Sequence, residues 1–408
     1  MTRAGPRSLA AGIVALEFAA AVTSFVASTL LPLVAGDLKA EDRLGLLIAG
    51  STLGLFVALP LASRVLAKLG TRATLAAGML AYVGGLVVAA TSGSAWTFAL
   101  GQLATGLASG LLAVFGVSSA IRHLDDRLRV KVVAASSAMW ILPALAGPAV
   151  TLGLAHLVGW RWTLLLPVPF VLFGRLLVVR AAADEPEPSP RPLGRTLLVP
   201  LGAAGVVLSE GWWPAALAGA VVAVAGMVAI LPAGTARLRR GTPAALAAMV
   251  LFAVGYFGAD SLITVLLTKG FHVGLGQAAI VLSAAPLAWA VTSLLARRHF
   301  PATGLGLTAL GTAVLAIGGG PFPVVLAAWT VAGIGVGLAY PALYIRASTP
   351  GSSGLTATEL ATAVITAECV GQLLGRAIGG ALSSAGGLFA SYAVFAVALT
   401  AAAVVSRR

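Results

Sequence analysis

AAADEPEPSPRPLGR, residues 181–195, is a polar, proline-rich stretch in an otherwise apolar chain. Prolines at this density hold a chain extended, so the stretch reads as a linker, and what it links sets the architecture. Hydrophobic residues make up 59% of the sequence and charged residues only 10%, where soluble domains carry roughly 45–50% and 25%. Mean hydropathy is +1.01. Crossing the hydrocarbon takes about 20 apolar residues per helix, and runs of that length follow one another along the chain. Before the linker the sequence predicts six spans, near 9–36, 44–63, 73–92, 96–121, 132–155 and 161–180. After it come eight, near 195–210, 213–232, 243–268, 274–296, 302–319, 322–345, 357–384 and 387–405. The expected fold class is an all-α integral membrane protein of about fourteen transmembrane helices.

A twelve-span arrangement would leave the apolar stretch 195–232 in water. If that stretch is an inserted helical hairpin, six spans remain on each side, the arithmetic of two six-helix bundles around a central cavity. The chain then divides into an N-terminal bundle (1–180), a linker (181–194), a hairpin with a basic loop (195–241) and a C-terminal bundle (242–408). The net charge of +13 sits in short loops and forms no basic face with interleaved aromatics, which excludes nucleic acid as a partner. With the N-terminus in the cytoplasm, 21 of the 26 basic residues fall inside, and only Lys39, Arg43, Arg161 and Lys269 fall outside. That bias places both termini in the cytoplasm. The single cysteine, Cys369, excludes an internal disulfide, and His123, His156, His272 and His299 lack metal-ligand spacing. No metal or cofactor is expected. The basic opening MTRAGPRS leads into a run too long for a signal peptide, so it reads as the first span.

SSAMWILPALAGPAVTLGLAHLVGWRWTLLLPVP (136–169) is more specific. Its Pro143, Gly147 and Pro148, followed by GWRW at 159–162, resemble the fifth and sixth spans of major facilitator superfamily drug:proton antiporters. Residues 231–267 are similar to the entry into the second bundle of fourteen-span actinobacterial members. The resemblance covers the whole chain and implies the major facilitator fold. Gly147 allows close approach and Pro148 removes a backbone donor, so this helix can kink; in the family it seals the cavity in one state. Two family signatures are altered. The loop SRVLAKLGTR (63–72) keeps Ser63, Gly70 and Arg72 but has Ala67 where the family carries an acid that latches the helix ends. In the fourth span Gln102 stands where many antiporters carry an arginine, so a coupling role for that arginine does not transfer. Gly106 and Gly110 remain as close-packing positions.

Three carboxylates lie at membrane depth: Glu17 in GIVALEFAAAV (12–22), Asp260 and Glu368. A charged carboxylate at mid-bilayer costs roughly 2.5–3.5 kcal/mol or more, so such groups face a cavity or a partner. Glu17, Ala21, Ser24 and Ser28 share one helix face, with Val22, Val26 and Leu33 opposite. Tyr256 and Thr264 flank Asp260 by one turn on each side, and Gln372 lies one turn from Glu368. Arg376 is the basic residue left within a span. It could pair with an acid of its own or another helix, and a structural bridge to Glu368, or snorkelling of Arg376 to the interface, weighs as much as a functional role. Trp140, Tyr256 and Tyr340 could stack on a substrate, although packing is the default for membrane aromatics. Glu210 and Glu359 lie near helix ends, where water reaches them. Glycines 371, 375 and 379 recur every fourth residue and read as a packing groove.

A carboxyl group in apolar surroundings favours its protonated form, so a cationic amphiphile bound there would stabilise the ionised form and expel a proton. The expectation is a bacterial inner-membrane transporter, monomeric in the lipid bilayer, exporting a small amphiphilic substrate, with cations among the candidates, against protons by rocking two bundles. Uptake or facilitated diffusion of a small metabolite is the alternative, and a transport-silent sensor a remote one. Enzyme chemistry is not expected: no nucleophile, base and orienter occur together, and no phosphate-binding glycine loop precedes a basic helix start.

Overall fold

The computed structural model describes residues 6–181, 193–209, 212–296, 298–318, 320–350, 355–384 and 387–408. Most of the linker, and Glu210, lie outside the described residues. Every regular element among them is helical: α1 (Pro6–Asp37), α2 (Leu44–Ala90), α3 (Ala95–His123), α4 (Asp126–Met139), α5 (Ile141–Val158), α6 (Trp160–Thr163), α7 (Val168–Ala181), α8 (Leu198–Val207), α9 (Trp213–Ile230), α10 (Thr242–Val265), α11 (Leu275–Leu295), α12 (Pro301–Ile317), α13 (Phe322–Ala347), α14 (Ala357–Ser384) and α15 (Leu388–Val405). Ten helical segments among the described residues are long and apolar enough to cross a membrane, and Gly194–Val207 and Pro301–Ile317 are shorter apolar helices.

Local chemistry sets the helix starts. Proline occupies the first turn of α9, α10, α12 and α13, where its missing N–H would have no helical partner anyway. Ser94 caps α3 by accepting the Thr97 N–H at 3.2 Å, and Asp125 caps α4 by accepting the Leu128 N–H at 2.7 Å. At the start of α14 the Thr356 N–H donates to Glu359 at 2.9 Å and the Glu359 N–H to the Thr356 hydroxyl at 3.2 Å. Glu359 is therefore one half of a capping box, a more definite role than the solvated helix-end acid expected from sequence.

Two interruptions shape the N-terminal helices. Within α2, Gly70 adopts φ 73° and ψ 173°, a conformation open to glycine and strained for other residues. The helix therefore turns there, between the spans expected at 44–63 and 73–92. Ser63 is half-buried and Arg72 exposed on either side of that turn. The second interruption corrects an expectation. The fifth span breaks at Trp140, between α4 and α5, upstream of the Gly147–Pro148 pair. Pro143 has no N–H to give Met139, four residues back, and its ring crowds that carbonyl. The helix resumes with the Ala144 N–H on the Trp140 carbonyl at 3.1 Å. Gly147 lies farther on, where α5 crosses α1 against Phe25, and Pro148 is exposed inside α5.

Packing follows the small residues. α2 lies against α3, and α1 against α7 and α5. In the second half α10 lies against α14 and α15, and α13 against α11 and α12. Gly371, Gly375 and Gly379 seat α14 on α10 over Val250, Gly258 and Leu262, the groove their spacing predicts. α8 and α9 pack on each other and also touch α2 and α14. Between the two halves of the chain, α4 meets α11 and α13, and α14 meets α2 and α3. Near its start α1 runs beside the end of α7, with Gly12 over Leu177 and Val178, so it begins at the end of the molecule from which the linker leaves.

Candidate functional site

Glu17 sits about a third of the way along α1 (Pro6–Asp37) and is half-buried. Together with Tyr82 and Ser109 it lines a cavity of about 40 Å³ among α1, α2 and α3, room for water beside the carboxylate. The Tyr82 and Thr23 hydroxyls are hydrogen-bonded at its wall. On its other side Glu17 interacts through its side chain with Trp140, whose ring stands edge-on to Phe25 at 6.4 Å. The break at Trp140 thus brings an indole to the carboxylate. Val22 and Val26 are buried in the N-terminal core, while Ser24 and Ser28 are exposed about two and three turns beyond Glu17.

The second carboxylate comes from the other half of the chain. Glu368 accepts the Tyr340 hydroxyl at 3.2 and 3.3 Å to its two oxygens. Behind Tyr340 lies an aromatic cluster: Trp289 at 5.2 Å, Tyr344 at 5.6 Å and Phe252 at 5.7 Å between ring centroids. Glu17 interacts electrostatically with Glu368, Tyr340 and Tyr344. Two acids, one on α1 and one on α14, therefore lie within electrostatic range of each other, with Trp140 beside the first and Tyr340 beside the second. Tyr344 was missed from the sequence; its position one helical turn beyond Tyr340, on the same face, was the available signal.

Other expected site residues lie elsewhere. Tyr256 is only 2% exposed, stacked between Phe252 and Trp329 at 5.7 Å from each. It is core. Gln102 is buried with its Cβ against Gly50, in the α2–α3 contact. Asp260 interacts with Arg376, because α10 carries it against α14. Arg376 itself is exposed on α14, no ion pair joins it to Glu368 among the described residues, and Glu368 is served by Tyr340 instead.

At the linker end, two arginines tie the halves together. Arg122 donates to the Thr358 hydroxyl at 2.9 Å and Arg129 to the Thr349 hydroxyl at 3.5 Å. Arg129 also pairs with Asp126 at 3.4 Å, and Thr242 donates to the Thr349 carbonyl at 2.6 Å. At the opposite end Arg161 binds Asp37 at 2.6 Å and the Ser92 carbonyl at 3.2 Å, all within the N-terminal half. A hydrogen bond to a charged donor contributes about 1.5–3 kcal/mol. Arg129→Ala should accordingly shift opening of the linker end by about tenfold. Thiol labelling of Ser348→Cys, at a position 2% exposed, in a Cys369→Ser background should rise by that factor; unchanged labelling would show that Arg129 does not hold this end closed.

Comparison with known proteins fits this geometry. The probable multidrug-efflux transporters MT1670 and Rv1634 of Mycobacterium tuberculosis are each 26% identical over 97% of this chain and 92% of their own. The multidrug efflux pump SdrM of Staphylococcus aureus is 21% identical over 41% of this chain and 37% of its own. Among solved structures, the human organic anion transporter MFSD10 superposes with a TM-score of 0.75 at 16% identity, covering 98% of this chain and 99% of that one. The Escherichia coli fucose:proton symporter FucP does so with a TM-score of 0.67 at 16% identity, over 98% and 97%. Likeness at these identities concerns the fold alone. A sequence profile of the Major Facilitator Superfamily matches residues 13–299, and with apolar helices stacked in this arrangement the chain belongs to that superfamily: it is a multi-pass membrane transporter.

Proposed function

We propose that the protein is a proton-coupled exporter of an amphiphilic, cationic compound, working by alternating access about the site between its halves. The observation that carries this reading is the juxtaposition of Glu17 and Glu368, from α1 and α14, beside Trp140, Tyr340 and Tyr344. Two acids amid apolar and aromatic walls suit a cation with an apolar body, through charge and through the faces of the rings. Proton and cargo compete for the same oxygens, so loading one releases the other. The multidrug-efflux names of the bacterial relatives point the same way.

In this reading Gly70 and Pro143 act as hinges, Ser63 and Arg72 belong to the gate loop, and Gly371, Gly375 and Gly379 hold α14 to α10. Dividing Glu41–Ala90 at Gly70 and adding α14 and the two shorter helices to the ten spans gives fourteen. The proposed division is a bundle at 1–180, a hairpin at 195–241 inserted beside α2 and α14, and a bundle at 242–408. The linker end faces the cytoplasm of a bacterial inner membrane, with both termini there, and is the closed end. The second reading is uptake or facilitated diffusion, favoured by Gln102 lying buried away from the acids and by Ala67.

Purified protein in liposomes with an internal pH dye tests the choice. Addition of tetraphenylphosphonium under an imposed gradient should drive protons opposite to the cation. Cation flux without proton movement would establish a facilitator, and neutral-sugar flux in step with protons a symporter.

A further inference from the structure

A second cavity lies outside the site, on the flank formed by α1, α4 and α7. It is an open groove of about 560 Å³. Its floor is the alanine face of α1, Ala11 and Ala15, and its far side is α4 from Leu128 to Met139. Phe18 and Phe170, edge-on at 5.1 Å, close its inner end, and Phe173, 58% exposed, stands at its wall. The lining is apolar with one exception. Lys131, exposed on the first turns of α4, stands at the linker end of the groove. The nearby acid, Asp126, is paired with Arg129.

Length and charge identify the occupant. From Leu128 to Met139 the helix rises about 16 Å, close to half of the ~30 Å hydrocarbon core. The groove is therefore one leaflet deep, with a cation at its interfacial mouth and an aromatic stop near mid-membrane. An uncharged amphiphile would leave the lysine without a counter-charge, a zwitterionic lipid would bring its own cation beside it, and a cationic amphiphile would be repelled. We propose that this groove is a binding site for an anionic glycerophospholipid of the leaflet at the linker end, one acyl chain lying along Ala11, Ala15 and Ala135 and the phosphate on Lys131. Because the groove flanks the α4 segment below the break at Trp140, the lipid would also brace the helix that carries that indole.

Native mass spectrometry of the full chain, with phosphatidylglycerol and phosphatidylcholine of identical acyl chains added in equal amounts, tests this. Phosphatidylglycerol should be retained about fivefold better, the preference one lysine gives at an anionic membrane surface. Lys131→Gln should bring the ratio to about one, chiefly by lowering phosphatidylglycerol retention, as loss of a single headgroup charge contact requires. Ala135→Phe and, independently, Ala11→Phe should fill the groove and remove both adducts. Equal retention by the unaltered protein, a preference surviving Lys131→Gln, or full retention in both phenylalanine variants would overturn the proposal. Displacement of the lipid by tetraphenylphosphonium would assign the groove to cargo and overturn it as well.

Discussion

Glu17→Gln is expected to abolish cargo-driven proton movement in liposomes while leaving the protein folded and inserted. Glutamine keeps the volume of the side chain and its reach to Trp140, and it removes only the capacity to take up and release a proton. The small cavity beside Tyr82 and Ser109 accommodates the amide without displacing a helix. Downhill cation flux should persist in the variant, since Glu368 and the aromatic walls remain. Asp42→Asn, at an acid 75% exposed in a connecting turn, serves as the control and should couple as the unaltered protein does. Full coupling in Glu17→Gln would remove Glu17 from the proton path and leave Glu368 as the acid to test.

Gly106→Leu should be the most damaging single change to the fold. A Cβ at position 106 would fall on the backbone carbonyl of Ser51 in α2, and a backbone fixed within its own helix cannot move aside. Overpacking costs typically ~1–3 kcal/mol, and occasionally more, where side chains can yield; here the cost is expected at or above about 3 kcal/mol. Gly84→Leu provides the comparison, because nothing lies within 4 Å of a Cβ there. Both substitutions raise helix propensity, so a difference between them measures contact alone. Thermal unfolding in detergent should show Gly106→Leu strongly destabilised and Gly84→Leu close to the unaltered protein. Equal midpoints would mean that α2 and α3 separate without loss.

Individual residues show why some features were legible in the sequence. The spans were readable because hydrocarbon demands about 20 apolar residues per crossing, a constraint local to each segment. Gly70 was readable as a turn because it lies in a polar loop, and the stripe at 371, 375 and 379 because a helix places every fourth residue on one face. The carboxylates stood out because apolar surroundings make them costly. Arg376 was different. Eight residues from Glu368 on one helix, it lies about 12 Å along the axis, and Asp260, the acid within its electrostatic range, is more than a hundred residues away in sequence. Only the seating of α14 on α10 brings them together. Tyr256 likewise looked available for cargo until the helices around it were in place.

The sequence by itself determined that this chain is helical and crosses a membrane many times, and which polar groups must be accommodated at depth. Each of these follows from transfer free energy, residue by residue. The tertiary structure decided which of those groups come near one another: Glu17 beside Trp140 and within electrostatic range of Glu368, Asp260 within range of Arg376, Glu368 on the Tyr340 hydroxyl, and Arg122 and Arg129 on threonines of the other half. Between helices in lipid, close packing of small residues decides contact. That packing depends on the shapes of both partners, so no single span encodes it.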